Sequence, residues 1–138
     1  MKAFKNIYLI AAILFFAACA KENGEIIDVF GNPAVLIGKW KLSETLADPG
    51  DGSGEWKKVG KKFEAFIEFK ANGAIAGNAL GDYSTYSVRD SSVIAVTKAD
   101  GVTYQNYAYQ LKDGKLNLSP AGPIMCIEAC GSRYVKVK

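Results

Sequence analysis

From residue 39 onward the chain never sustains a helical period. Short alternating or apolar runs follow one another instead, cut by Gly, Asp and Asn. Candidate strands cover residues 39–46, 63–70, 74–79, 84–88, 93–97, 103–111, 115–119 and 133–137. Asn72-Gly73 and Asp113-Gly114 are two-residue hairpin signals, because a type I′ turn needs positive φ at both central positions. Eight consecutive strands with hairpin connections predict an all-β fold, an eight-stranded up-and-down antiparallel barrel, with a sandwich as the alternative. A barrel of this size closes its edges and leaves room inside for side chains or one small ligand. Ahead of the first strand, Asn32-Pro33-Ala34-Val35-Leu36 reads as a single helical turn, with Asn32 as cap and Pro33 at the first helical position.

Alternation along the strands names the interior. Trp40, Leu42 and Leu46 share one face of the first strand, with Glu44 between them. Phe63, Ala65, Ile67 and Phe69 share one face of the second, against Glu64, Glu68 and Lys70. Phe66 is a misfit on the charged side. Tyr107, Tyr109 and Leu111 form a further inward set. An aromatic interior of this kind is either core or the wall of a ligand site, and the candidate ligand contacts are Phe63, Ile67, Phe69, Tyr86, Tyr107 and Tyr109. The strands are short, so the cavity is expected to be small.

The slight hydrophobic excess of the composition sits at the N-terminus. Lys2 and Lys5 precede twelve uncharged apolar residues, 7–18. A membrane-spanning helix needs about 20 such residues, so the run reads as the apolar core of a signal peptide. It ends in Phe16-Ala17-Ala18-Cys19, which resembles the lipobox of bacterial lipoproteins. The resemblance implies that Cys19 is acylated, palmitate-type, and becomes the first mature residue. The alternatives are an ordinary secretory signal cut nearby or a short uncleaved anchor. On this reading residues 1–18 are a signal peptide, 19–31 a lipidated tether and 32–138 the barrel domain. Removing the first 18 residues leaves 120 and takes two lysines with it, so the net charge falls from +3 to +1. Each buried methylene contributes about 0.8 kcal/mol, so several acyl chains hold a protein on a membrane permanently. The expected location is the bacterial cell envelope, at the outer membrane.

That compartment decides how to read the other two cysteines. Cys126 and Cys130 in an oxidising envelope are expected to form a disulfide. A loop this short gains roughly 2 kcal/mol from the bond, which pins a turn and does not hold a fold together. A redox pair is the alternative, although three residues intervene where thioredoxin-type motifs have two. A Cu(I) site with Met125 is another.

The chain has no histidine. This removes Ser-His-Asp and Cys-His catalysis and every zinc site that needs imidazole. No nucleophile sits beside a base, and there is no phosphate loop and no carboxylate pair placed for glycoside chemistry. The expected class is therefore non-catalytic, with no cofactor, no metal and no nucleic acid partner. The long connection Asp48-Pro49-Gly50-Asp51-Gly52-Ser53-Gly54-Glu55 reads as a solvated loop, with a Ca²⁺ loop or a recognition loop as alternatives. The recognition candidates are Asp48, Asp51 and Trp56. Lys57, Lys58, Lys61 and Lys62 form a basic patch, read as a solvated turn or as a contact for anionic lipid or glycan.

Gly38-Lys39-Trp40 at the start of the first strand is similar to the Gly-x-Trp signature of lipocalins. In that superfamily the Trp closes one end of the barrel and a late Arg packs over it, a place that Arg133 fills here. The stretch from 38 to 137 looks more specifically like the short lipocalin-like lipoproteins of Bacteroidetes-type bacteria. The pieces that carry this are Gly38-Lys39-Trp40-Lys41-Leu42, the Gly/Asp loop, Phe69-Lys70-Ala71-Asn72-Gly73, the cysteine pair and Arg133-Tyr134. The resemblance implies a small envelope barrel without enzymatic activity, with Gly38, Trp40 and Arg133 as its closing group. The function expected is non-catalytic binding of a small apolar ligand. The alternative is a protein or glycan interaction module with a packed core, acting through residues 48–56.

Overall fold

A computed structural model describes residues 33–60 and 62–138. The expected signal peptide, the tether with Cys19, the Asn32 cap and Lys61 lie outside the described residues. A single 3₁₀ turn, Pro33–Val35, precedes nine strands: β1 (Gly38–Ala47), β2 (Glu55–Lys58), β3 (Phe66–Phe69), β4 (Ile75–Gly77), β5 (Tyr83–Val88), β6 (Val93–Lys98), β7 (Tyr104–Lys112), β8 (Lys115–Pro120) and β9 (Cys130–Lys136). All pairings are antiparallel, in the order β4-β3-β1-β9-β8-β7-β6-β5. An Ala74–Thr85 bridge and a bond from the Tyr86 N–H to the Gly73 carbonyl (2.8 Å) bring the two ends of that sheet together, leaving a nearly closed barrel.

The nine strands occupy eight lanes, because β2 and β3 are two halves of one. β2 pairs with residues 44–47 of β1, and β3 pairs with residues 38–41. Between them the ladder is carried by Val59 N–H to Ser43 O (3.0 Å) and Leu42 N–H to Ala65 O (2.8 Å). Gly60 and residues 62–64 leave the barrel wall at this point. Opposite the break, β1 carries a bulge between Leu42 and Glu44 in its pairing with β9. A bulge inserts one residue and reverses which face the following side chains take. Trp40 and Leu42 therefore point inward, as expected, while Glu44 and Leu46 turn to the outer wall. The expectation that Leu46 and Glu44 share the interior face is corrected by this one residue.

Ile67 and Phe69 face the core as expected, while Leu111, expected among the inward residues, is 38% exposed beside the Asp113-Gly114 turn. Ile67 and Phe69 of β3, Ile94 and Val96 of β6, and Leu116 and Leu118 of β8 are buried at 1% exposure or less. Each such side chain contributes roughly 1.5–3 kcal/mol. Phe66, the misfit, faces out and carries the ammonium of Lys39 4.0 Å above its ring.

The two hairpin signals resolve differently. At Asp113-Gly114 both residues have positive φ (52° and 72°), the expected two-residue turn. At Asn72-Gly73 only Gly73 does. Lys70 pairs with Ala74 around a three-residue loop, and the Gly73 N–H donates back to Lys70 O at 3.0 Å. A type I turn followed by a left-handed glycine fits a three-residue hairpin.

One end of the barrel is shut. Leu36, just after the 3₁₀ turn, is fully buried, and its carbonyl accepts the Trp40 indole N–H at 2.7 Å. Trp40 is 2% exposed. The chain enters the barrel at this closed end. The other end carries the loops 48–54, 78–82, 99–103 and 121–129.

Candidate functional site

The open end leads into a cavity of about 300 Å³, lined by Thr45, Leu80, Tyr107, Leu118, Ser132 and Tyr134 among others. Strand pairing puts Thr45 opposite Ser132 on the inward face, and the period of β9 places Tyr134 on the same side. Burial pushes the Tyr134 phenol up to about 12, offset in part by its bond with the Ser132 side chain. Burial also raises Tyr107, with a smaller push from Tyr83. These phenols stay neutral at physiological pH. The cavity thus presents hydroxyl groups on apolar walls and no lining charge. It can donate hydrogen bonds to a small neutral ligand, and it holds no activated nucleophile.

The six expected ligand contacts separate into four groups. Ile67 and Phe69 are fully buried core residues. Tyr86 packs edge-on against Phe69 (centroids 4.8 Å apart) and donates its hydroxyl to Lys70 O at 3.0 Å, at the closed-end hairpin. Tyr107 and Tyr109 are half-buried against the core, and Tyr107 alone of the six lines the open-end cavity. Phe63 is a correction: it is 58% exposed, because β3 begins only at Phe66 and Phe63 belongs to the excursion that breaks the lane. Leu80, Ser132 and Thr45 line the cavity without being expected there from the sequence. The alternation Ser132-Arg133-Tyr134 in β9 was the available signal for Ser132.

Of the expected closing group, Gly38 and Trp40 stand at the closed end, but Arg133 does not serve Trp40. The bulge sets Arg133 opposite Glu44 on the outer wall. Its guanidinium lies 3.7 Å from the Trp56 ring centroid, while the cation near Trp40 is Lys136, at 5.2 Å. Glu44, 14% exposed, accepts from both Lys115 (3.2 Å) and Arg133 (3.3 Å). The Lys115 bond, opposed by desolvation and helped by Arg133, holds its carboxyl below the ordinary value. A groove of about 410 Å³ beside this cluster is lined by Lys41, Lys58, Val59, Phe63 and Lys115.

The recognition loop is arranged unlike the expectation at two of its three residues. Asp48 spends both carboxylate oxygens on its own loop, accepting from the N–H groups of Gly50 (2.8 Å), Gly52 (3.2 Å) and Gly54 (3.1 Å). These bonds, Gly50 first, lower its pKa. Trp56 lies in β2, half-buried, with one face covered by Arg133. Asp51 is exposed and accepts from the Ser53 N–H (2.9 Å). Among the described residues, no three His, Cys, Asp or Glu side chains come together as a group able to hold a metal ion.

Cys126 and Cys130 form the expected disulfide, with Cα atoms 6.2 Å apart. The bond ties the loop 121–129 to the first residue of β9, and the base of the loop is fixed by a residue that the sequence did not announce. Gln105, 3% exposed, donates to Ile124 O (2.7 Å) and accepts from Ile124 N–H (3.1 Å). Beyond that clamp, Ile124, Met125 and Ile127 are 71%, 66% and 98% exposed.

The chain matches no protein-family model, no curated protein and no solved structure.

Proposed function

We propose that this chain is a lipid-anchored, non-catalytic binding protein of the bacterial cell envelope. On this reading it is a lipocalin-like barrel that takes one small, largely apolar ligand at its open end. The observation that carries the reading is the cavity between Leu80, Leu118 and Tyr134, uncharged and about 300 Å³ in volume. That is the lower limit of ordinary ligand pockets. The packed lower half of the barrel, with Ile67 and Phe69 fully buried, supports a shallow mouth site and not a deep cup. The neutral phenols suit a ligand with one or two hydrogen-bond acceptors.

The anchor rests on Phe16-Ala17-Ala18-Cys19. The chain enters the barrel at the closed end, through the 3₁₀ turn that begins at Pro33. Outer-membrane placement follows from the lipoprotein reading.

Native mass spectrometry of the chain extracted from its own cells tests the binding. A bound small molecule is expected, lost when Leu118→Trp fills the cavity. An empty chain whose spectrum and melting are unaffected by added apolar ligands overturns the reading. Acyl labelling that persists in Cys19→Ser overturns the anchor.

A further inference from the structure

The loop 121–129 displays three large apolar side chains that the barrel does not use. An exposed Ile or Leu is common on any protein surface, but three within four residues, held in place from inside the barrel, is a different matter. The buried amide of Gln105 is committed to the backbone of Ile124 on both sides of its peptide group. Asn106 adds a second fixing point, with Ala121 N–H donating to its carbonyl at 2.8 Å. The Cys126–Cys130 disulfide closes the far side. Fixing a backbone costs conformational entropy, so a tip already anchored in the free protein avoids part of that cost at the moment of binding.

The surroundings of the tip say what it meets. Asp48 N–H donates to Ala129 O at 2.9 Å, so the Gly/Asp loop and the disulfide loop form one surface. Glu128 lies against Gly50, and Asp51 is exposed in the same loop. Neither of these two carboxylates makes an ion pair among the described residues, whose ion pairs are Lys41–Glu64, Lys98–Asp82, Lys115–Glu44 and Arg133–Glu44. An apolar knob with an unpaired acidic rim repels an anionic bilayer. We propose that Ile124, Met125 and Ile127, rimmed by Asp51 and Glu128, are the docking knob for a protein partner that offers an apolar cleft bordered by Lys or Arg. The surface is separate from the cavity, and its occupancy does not depend on a small ligand.

The test places a photo-crosslinking phenylalanine at Ile127 of the full chain in the cells that make it, with Leu111 at the closed-end hairpin as control. A discrete protein adduct is expected from Ile127 and not from Leu111. The captured segment should carry net positive charge by mass spectrometry. Ile124→Asp with Met125→Asp should lower the yield on the order of tenfold, as loss of central anchors does. Asp51→Lys with Glu128→Lys should lower it too, most strongly at low salt. Both double variants change only exposed side chains, and unchanged melting separates lost docking from lost fold. Adducts no stronger than at Leu111, adducts only with lipid, or adducts only of two copies of this chain overturn the proposal. So does a captured acidic or neutral segment, or a yield indifferent to the charge reversal.

Discussion

Arg133 lies over the ring of Trp56, its guanidinium carbon 3.7 Å from the centroid, and the same side chain donates to Glu44 and to Asn117. Four strands meet in this contact: β2 supplies the ring, β9 the cation, β1 the carboxylate and β8 the amide. The arrangement predicts energetic coupling between Arg133 and Trp56. Arg133→Ala should cost about 1–2 kcal/mol, and the double variant with Trp56→Phe should cost less than the two single changes together. The parallel cycle with Trp40→Phe should be additive within about 0.5 kcal/mol. Chemical denaturation of the four proteins in each cycle measures this. Coupling to Trp40 in place of Trp56 would restore the closing contact expected from the sequence.

Glu44 predicts a pH dependence. Its carboxyl is held below the ordinary value of 4.5, chiefly by the Lys115 bond. The folded state therefore favours the ionised form. The stability this contributes is fully present above the unfolded value and is lost as the pH falls through the folded one. Wild-type melting temperature should fall more steeply than that of Glu44→Gln from about pH 5 down to about pH 3. Parallel pH profiles that never converge or cross would show that the cluster adds nothing in acid.

Much of the barrel is legible in the sequence because each lane from β4 to β9 is a short alternating run bounded by turn residues. The failures cluster on β1 and its partner. A bulge between Leu42 and Glu44 leaves no trace in alternation, since Trp40, Leu42, Glu44 and Leu46 keep one parity whichever face they take. The break in the second lane hides similarly: Phe63 looks like the start of a strand, and Trp56-Lys57-Lys58 looks like loop, because the lane continues only through its bonds to β1. The cavity was partly legible through Tyr107. Its other walls come from residues whose inward direction depends on register with strands far off in sequence. The Gln105 clamp was invisible because a polar residue in a strand gives no hint of the loop it reaches.

Gly77 should be the least replaceable glycine of the open end. Its φ is 113°, and a Cβ there would fall 2.1 Å from the Phe66 carbonyl oxygen. Gly77→Ala must therefore move the backbone of β3, beside fully buried Ile67, at a cost of about 3 kcal/mol or more. Gly81→Ala, also at positive φ but with nothing within 4 Å, should cost only about 1 kcal/mol. Equal melting of the two variants would mean that the β3–β4 contact gives way easily.

Gln105 offers the sharpest separation between fold and display. Gln105→Ala leaves the Ile124 N–H and carbonyl without their partner, a loss of about 1–3 kcal/mol. The loss should be local, because the strands are held by their own ladders. Amide exchange should accelerate across residues 121–128 while the amides of β6 and β8 stay protected. Gln105→Glu refines the point. A carboxylate still accepts from the Ile124 N–H, but it cannot donate to the Ile124 carbonyl until it is protonated. Protection of the loop in that variant should therefore be weakened at neutral pH and partly recovered in acid, after correction for the intrinsic pH dependence of exchange. The alanine variant should show no such recovery. Loop exchange unaffected by either substitution would mean that the disulfide alone orders the tip, and the buried amide would then have no part in presenting Ile124, Met125 and Ile127.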